Sequence, residues 1–195
     1  MVLASANPKK VAELMALVED RLDVVPRPAD LPDIIEDGDT LEANATLKAV
    51  AVAGATGRLA LADDTGLFVD ALDGRPGVRS ARYAGEPPDD DANVALLLSE
   101  LEEHGATTAA QRAARFRTVI ALAHPEGAVD LVEGTCEGWI SVERRGGTGF
   151  GYDPVFVPTE GDGRTFAEMG PEAKGALSHR ARALAAAVTL LAGDD

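Results

Sequence analysis

The sequence predicts an α/β fold built on a mixed β-sheet flanked by helices, and three observations carry that prediction. Short apolar segments of strand length alternate with segments of helical period along most of the chain. Two strand candidates, 115–123 and 128–139, follow one another with no helix between them, which predicts an antiparallel hairpin. The length of 195 residues and the apolar content of 46% suit a single domain, 1–195, with a sizeable core.

The elements follow in order. Met1 to Ala4 reads as a first strand. Asn7 suits a helix N-cap and Pro8 a first helical position, and Val11, Leu14, Leu17 and Val18 then share one face. Leu22 to Val25 predicts a second strand, and Pro26 to Gly38, rich in Pro and Asp, a loop. A second helix starts near Asp39-Thr40, with Asp39 and Glu42 at capping-box spacing, and Gly54 is placed to end it. The apolar run Leu59 to Ala62 predicts a buried strand, interrupted by Asp63-Asp64-Thr65-Gly66 and resumed at Leu67-Phe68-Val69. Residues 74–85 read as a loop, 93–103 as an amphipathic helix, 146–151 as a glycine-rich loop, and Ser178 to about Leu191 as a closing helix.

Charge narrows the partners. A formal net charge of −15 repels nucleic acid and anionic membranes over most of the surface, so neither is an expected partner. No stretch approaches the roughly 20 apolar residues that cross a bilayer. Cys136 is the single cysteine, so no internal disulfide forms, which fits a reducing cytoplasm. An anionic ligand would bind only where cations or a metal offset the field. Of 18 basic residues only four are lysines, Lys9, Lys10, Lys48 and Lys174, and each falls in a segment that chemistry singles out.

Asp63-Asp64 is the most informative of these segments. Two carboxylates at the end of an apolar strand repel each other and resist desolvation, and a hard cation such as Mg²⁺ would relieve both. The same residues also form surface turns, and both readings stand on the segment alone. Ser5-Ala6-Asn7-Pro8-Lys9-Lys10 is a strand-to-helix turn that suits a phosphate, or an ordinary capped helix. Asn44 and Lys48 share a helix face with Glu36 shortly upstream. The stretch Gly146 to Pro154 sets Phe150 and Tyr152 among glycines, which allows close approach and stacking, or a hairpin with core aromatics. Lys174 stands shortly before Ser178, which suits the cap of the closing helix, and His179 and Arg180 place cations in its first turn, where the dipole disfavours them unless an acceptor lies nearby.

Six segments in order resemble the inosine triphosphate pyrophosphatase family, the non-standard purine nucleoside triphosphate pyrophosphatases or XTP/dITP diphosphatases. They are Ser5 to Lys10, Glu36 with Thr40 to Ala49, Asp63 to Leu67, Gly74 to Tyr83, Phe150 to Pro154, and Ser178 to Arg180. The departures are small: Ser5-Ala6 stands for Thr-Gly, Thr65 for Ser, Leu41 for an aromatic and Ala43 for Glu. The resemblance implies two lobes with an active-site cleft between them, a homodimer, and Mg²⁺-dependent hydrolysis of ITP, dITP and XTP to monophosphate and pyrophosphate.

Carried onto this chain, the resemblance implies that Ser5, Ala6, Asn7, Lys10 and Lys48 hold the triphosphate. Glu36, Asp63 and Asp64 would hold Mg²⁺, and Thr65 would bind the substrate. Asp64 would also deprotonate the water that attacks the α-phosphorus. Phe150, Gly151, Tyr152, Asp153, Lys174, His179 and Arg180 would receive the base. Donors there would match a 6-carbonyl and oppose a 6-amino group. Two alternatives stay open, a non-catalytic nucleotide-binding module and a related phosphohydrolase with another base preference. An aspartyl-phosphate enzyme would need Asp-x-Asp, which Asp63-Asp64-Thr65 lacks.

Overall fold

A computed structural model describes residues 1–18 and 22–193. In chain order the elements are β1 (Val2–Leu3), α1 (Pro8–Val18), β2 (Val25–Pro26), α2 (Leu41–Thr56), β3 (Ala60–Val69), β4 (Pro76–Gly77), α3 (Asp90–Glu103), β5 (Ala113–Ala123), β6 (Val129–Ile140), β7 (Phe156–Pro158), α4 (Phe166–Met169), α5 (Pro171–Leu177) and α6 (His179–Gly193). The strand order is β2-β1-β3-β5-β6-β7, with β4 paired to β3. β1 runs parallel to β2 and β3, whereas β3–β4 and β6–β7 are antiparallel, so the sheet is mixed as expected. β5 and β6 are sheet neighbours joined by a short turn in which the His124 N–H donates to the Ala128 carbonyl at 2.8 Å. A connection that short permits only the antiparallel hairpin.

The chain divides into two compact units. The first comprises residues 1–64, 118–134 and 180–195, the second 65–117 and 135–179. Leu3, Leu14, Leu61, Ile120, Leu122 and Leu184 lie in the core of the first unit. The second has its own core, around Leu67, Leu97, Leu101, Phe116, Tyr152, Phe156 and Phe166.

Four local expectations change. The strand expected over 22–25 is confined to Val25–Pro26, paired in register with β1. The cap of α2 is Thr40 rather than Asp39, because Thr40 takes the extended conformation and its hydroxyl accepts the Ala43 N–H at 3.1 Å. Gly54 stays inside α2, which ends instead at Gly57 in the left-handed conformation, with Val52 and Ala53 still buried just before it. Most telling, Asp63-Asp64-Thr65-Gly66 does not interrupt its strand, since β3 runs straight through all four residues. A turn would carry the carboxylates to water, and here they stay buried because cations meet them.

Candidate active site

Those cations come from three elements of the first unit. Asn7 caps α1, its side-chain oxygen accepting the N–H groups of Lys9 at 2.9 Å and Lys10 at 3.3 Å, as its position before Pro8 predicts. The capped turn brings the Lys10 ammonium to 3.4 Å from Asp63 and 3.9 Å from Asp64. From α2, Lys48 reaches 3.3 Å from Asp64 and 3.1 Å from Glu36. From the start of α6, Arg180 lies 3.5 Å from Asp63 and 2.7 Å from Glu13. The surface-turn reading of Asp63-Asp64 therefore fails, with the two residues only 1% and 6% exposed.

The two carboxyls titrate in opposite directions. Burial pushes the Asp63 carboxyl up, but Lys10, Arg180 and Lys48 outweigh it and hold the group well below the ordinary carboxylate range. For Asp64, burial pushes up, Lys48 and Lys10 pull down, and Glu36 and Asp63 push up again, so the net shift is upward. Burial pulls the Lys48 ammonium down, and the charges of Asp64, Asp63 and Glu36 more than restore it, leaving it raised.

The second unit holds a different cluster. Lys174 on α5 donates to Asp153 at 2.7 Å, and its ammonium lies 5.0 Å from the centre of the Phe150 ring. Asp153 also accepts the Phe150 N–H at 2.9 Å, so one carboxylate ties the glycine-rich loop to α5. His179 is buried in this unit, stacked 4.5 Å from Phe116 at 17°.

The expected site residues thus fall into two groups. Ser5, Asn7, Lys10, Glu36, Lys48, Asp63, Asp64 and Arg180 belong to the first unit, along with the exposed Ala6. Thr65, Phe150, Gly151, Tyr152, Asp153, Lys174 and His179 belong to the second. Arg180 does find acceptors, as cations in a first helical turn require, but they are the protein's own Asp63 and Glu13. Tyr152, expected against a base, instead turns its ring into the core at 4% exposure and donates its hydroxyl to the Ser80 carbonyl at 2.9 Å. The sequence reading missed Glu13, although it sits three residues after Lys10 on α1, the spacing that shares a helix face.

The Ham1 family model matches residues 1–190. The chain belongs to the Ham1 family. A dITP/XTP pyrophosphatase from Desulforamulus reducens is 50% identical over 194 residues, 98% of this chain and 94% of that protein. One from Shouchella clausii is 49% identical over 189 residues, 95% and 93% of the two chains. A Ham1 protein structure from Coxiella burnetii superposes with a TM-score of 0.87 at 42% identity, covering 98% of each chain. Ham1 membership bears out the resemblance drawn from the six segments, which spread from Ser5 to Arg180.

Among the described residues, no three His, Cys, Asp or Glu side chains form a ready-made metal cage. Nor is any helix long and apolar enough to cross a membrane.

Proposed function

We propose that this chain, acting as one domain over 1–195, hydrolyses the non-standard purine nucleoside triphosphates ITP, dITP and XTP to monophosphate and pyrophosphate. The observation that carries the reading is the buried Asp63-Asp64 pair on β3, met by Lys10, Lys48 and Arg180. Relatives named dITP/XTP pyrophosphatase, about half identical over nearly the whole chain, supply the substrate class.

The donor set suits Mg²⁺. Glu36, Asp63 and Asp64 offer hard oxygens, and Mg²⁺ typically takes one or two carboxylates, keeps waters and shares substrate phosphates, so it needs no complete protein cage. These three residues would hold it. Bound there, Mg²⁺ would neutralise phosphate charge and polarise the phosphoryl oxygens.

The protein's own groups do the rest. The turn from Ser5 to Asn7 that leads into α1 holds the triphosphate together with Lys10 and Lys48, the phosphate competing with the Asn7 side chain for the N–H groups of Lys9 and Lys10. Asp64 accepts a proton from the attacking water, a role that its raised pKa favours. The new bond forms to the α-phosphorus, the α–β bridging bond breaks, and pyrophosphate leaves with its charge met by the lysines. In the second unit, Phe150 offers an aromatic face, and Lys174 with Asp153 offers donor and acceptor for a base edge carrying a 6-carbonyl. The protein acts as a cytoplasmic homodimer in this reading.

Phosphorus NMR of the purified protein with Mg²⁺ and ITP, XTP, ATP or GTP tests it. Monophosphate and pyrophosphate from ITP and XTP, with ATP and GTP nearly untouched, is the expected result. Orthophosphate and diphosphate would place attack at the γ-phosphorus and overturn the mechanism. Asp64→Asn should abolish turnover while still binding ITP, and turnover at the wild-type rate would remove Asp64 as the base.

A further inference from the structure

Glu36 lies in the long connection between β2 and α2, a segment with no regular secondary structure after Pro26. A carboxylate that must meet a cation accurately cannot depend on such a connection alone. Two residues on, Gly38 is gripped by α2. Its N–H donates to the Asn44 side-chain oxygen at 2.8 Å, and its carbonyl accepts from the Asn44 side-chain nitrogen at 3.3 Å. The polarity of the Gly38 peptide fixes which end of the carboxamide faces which group. Asn44 is 2% exposed, so its amide is spent on this peptide rather than offered to a ligand. The fit is close: a Cβ on Gly38 would lie 2.7 Å from the Ala43 Cβ and 2.8 Å from the Asn44 oxygen.

Lys48, one turn further along α2, holds the same connection by a different handle, the Glu36 carboxylate itself. That handle is conditional. A cation bound to Glu36 competes with the Lys48 ammonium for the same oxygens, whereas the Asn44 grip is on backbone and does not change. We propose that Asn44 is the positioning residue for Glu36, fixing the carboxylate through Gly38 whether or not it has exchanged Lys48 for a metal. This rests on the reading of Glu36 as a metal ligand.

A double-mutant cycle on the full chain tests it, with Mn²⁺ alone as the probe and free Mn²⁺ read by electron paramagnetic resonance. Asn44→Ala should weaken Mn²⁺ binding about tenfold, the scale of losses on removing groups that orient ligands. Glu36→Gln should weaken it too, and the double variant should bind no worse than Glu36→Gln, because Asn44 would act only through Glu36. Exchange of the Gly38 amide hydrogen should accelerate in Asn44→Ala and stay slow in Glu36→Gln. Should Asn44→Ala not fold, Asn44→Ser, which leaves a polar group at the buried position, enters the same cycle. Full additivity of the two losses would overturn the role of Asn44 while leaving Glu36 a ligand. Unchanged Mn²⁺ binding in Glu36→Gln would overturn the metal reading of Glu36, and the proposal with it.

Discussion

Asp63 and Asp64 are consecutive on β3, yet Asp63 is held below the ordinary carboxylate range and Asp64 above it. Burial opposes ionisation in both cases. What differs is the company. Asp63 has Lys10 and Arg180 close by, while Asp64 meets Lys48 and also feels Glu36 and Asp63. Asp63 is thus a settled charge and Asp64 an unsettled one, a division that suits a structural anion beside a proton acceptor.

Neutral replacements should therefore act in opposite directions on the metal-free protein. Asp63→Asn removes the nearer carboxylate from Lys10, which keeps only Asp64 at 3.9 Å, and takes one of two carboxylates from Arg180, and should cost about 3 kcal/mol, the scale for breaking a buried pair. Asp64→Asn removes a carboxylate whose ionised form the site disfavours. It should raise stability by about 1 kcal/mol, typical when a functional strain is relieved, while abolishing turnover. Urea unfolding of both variants without metal checks this, and two losses of equal size would contradict it.

The pH dependence follows from the same shifts. The lowered Asp63 pKa means that its stabilising contribution is present above the ordinary carboxylate value of 3.8 and is lost as pH falls through the lower, folded value. The raised Asp64 pKa has the opposite sign. Its contribution is full below 3.8 and is lost as pH rises through the folded value. The deficit of Asp63→Asn should accordingly be largest near neutrality and close in acid below about pH 3.8, whereas the advantage of Asp64→Asn should vanish under acid conditions. Unfolding curves collected from pH 7 downward read both trends.

Much of the fold was legible in the sequence because local signals coincide with tertiary demands. Asn7-Pro8 opens α1 where capping chemistry places it, and the hairpin over 115–139 shows in strand segments with no room for a helix between. The candidate site was legible as residue types, since charges adjoining an apolar strand need partners. Which cation meets which carboxylate was not, because that depends on contacts such as Arg180 to Asp63, far apart in sequence. α4 and α5 had little signal, being four and seven residues long and separated by Gly170, too short to develop a helical period. The inward turn of Tyr152 was not legible either, because an aromatic among glycines looks alike whether it turns inward or outward.

Tyr152→Phe tests whether the inward-turned hydroxyl takes part in base selection. The variant keeps the ring in the core and deletes the hydroxyl that meets the Ser80 carbonyl. Loss of a partner for a buried acceptor should cost about 1–3 kcal/mol. Selectivity for ITP over ATP should not change, as the hydroxyl is committed to backbone. A Tyr152→Phe enzyme with native stability and altered selectivity would return the hydroxyl to the base.

Gly149→Ala should do the reverse. Gly149 has φ +81°, and a Cβ there would lie 2.1 Å from the Asp153 Oδ2, the atom that receives Lys174 and the Phe150 N–H. The methyl group must push Asp153 off that position or force the loop away from it, and the backbone conformation itself disfavours any side chain. If Asp153, Lys174 and Phe150 receive the base, KM for ITP should rise by about tenfold or more while kcat is retained, since a misplaced positioning group costs binding before it costs the reaction. Steady-state kinetics with ITP, alongside a thermal melt to confirm folding, gives the answer. A fall in kcat at constant KM would tie the glycine-rich loop to the reacting phosphate instead.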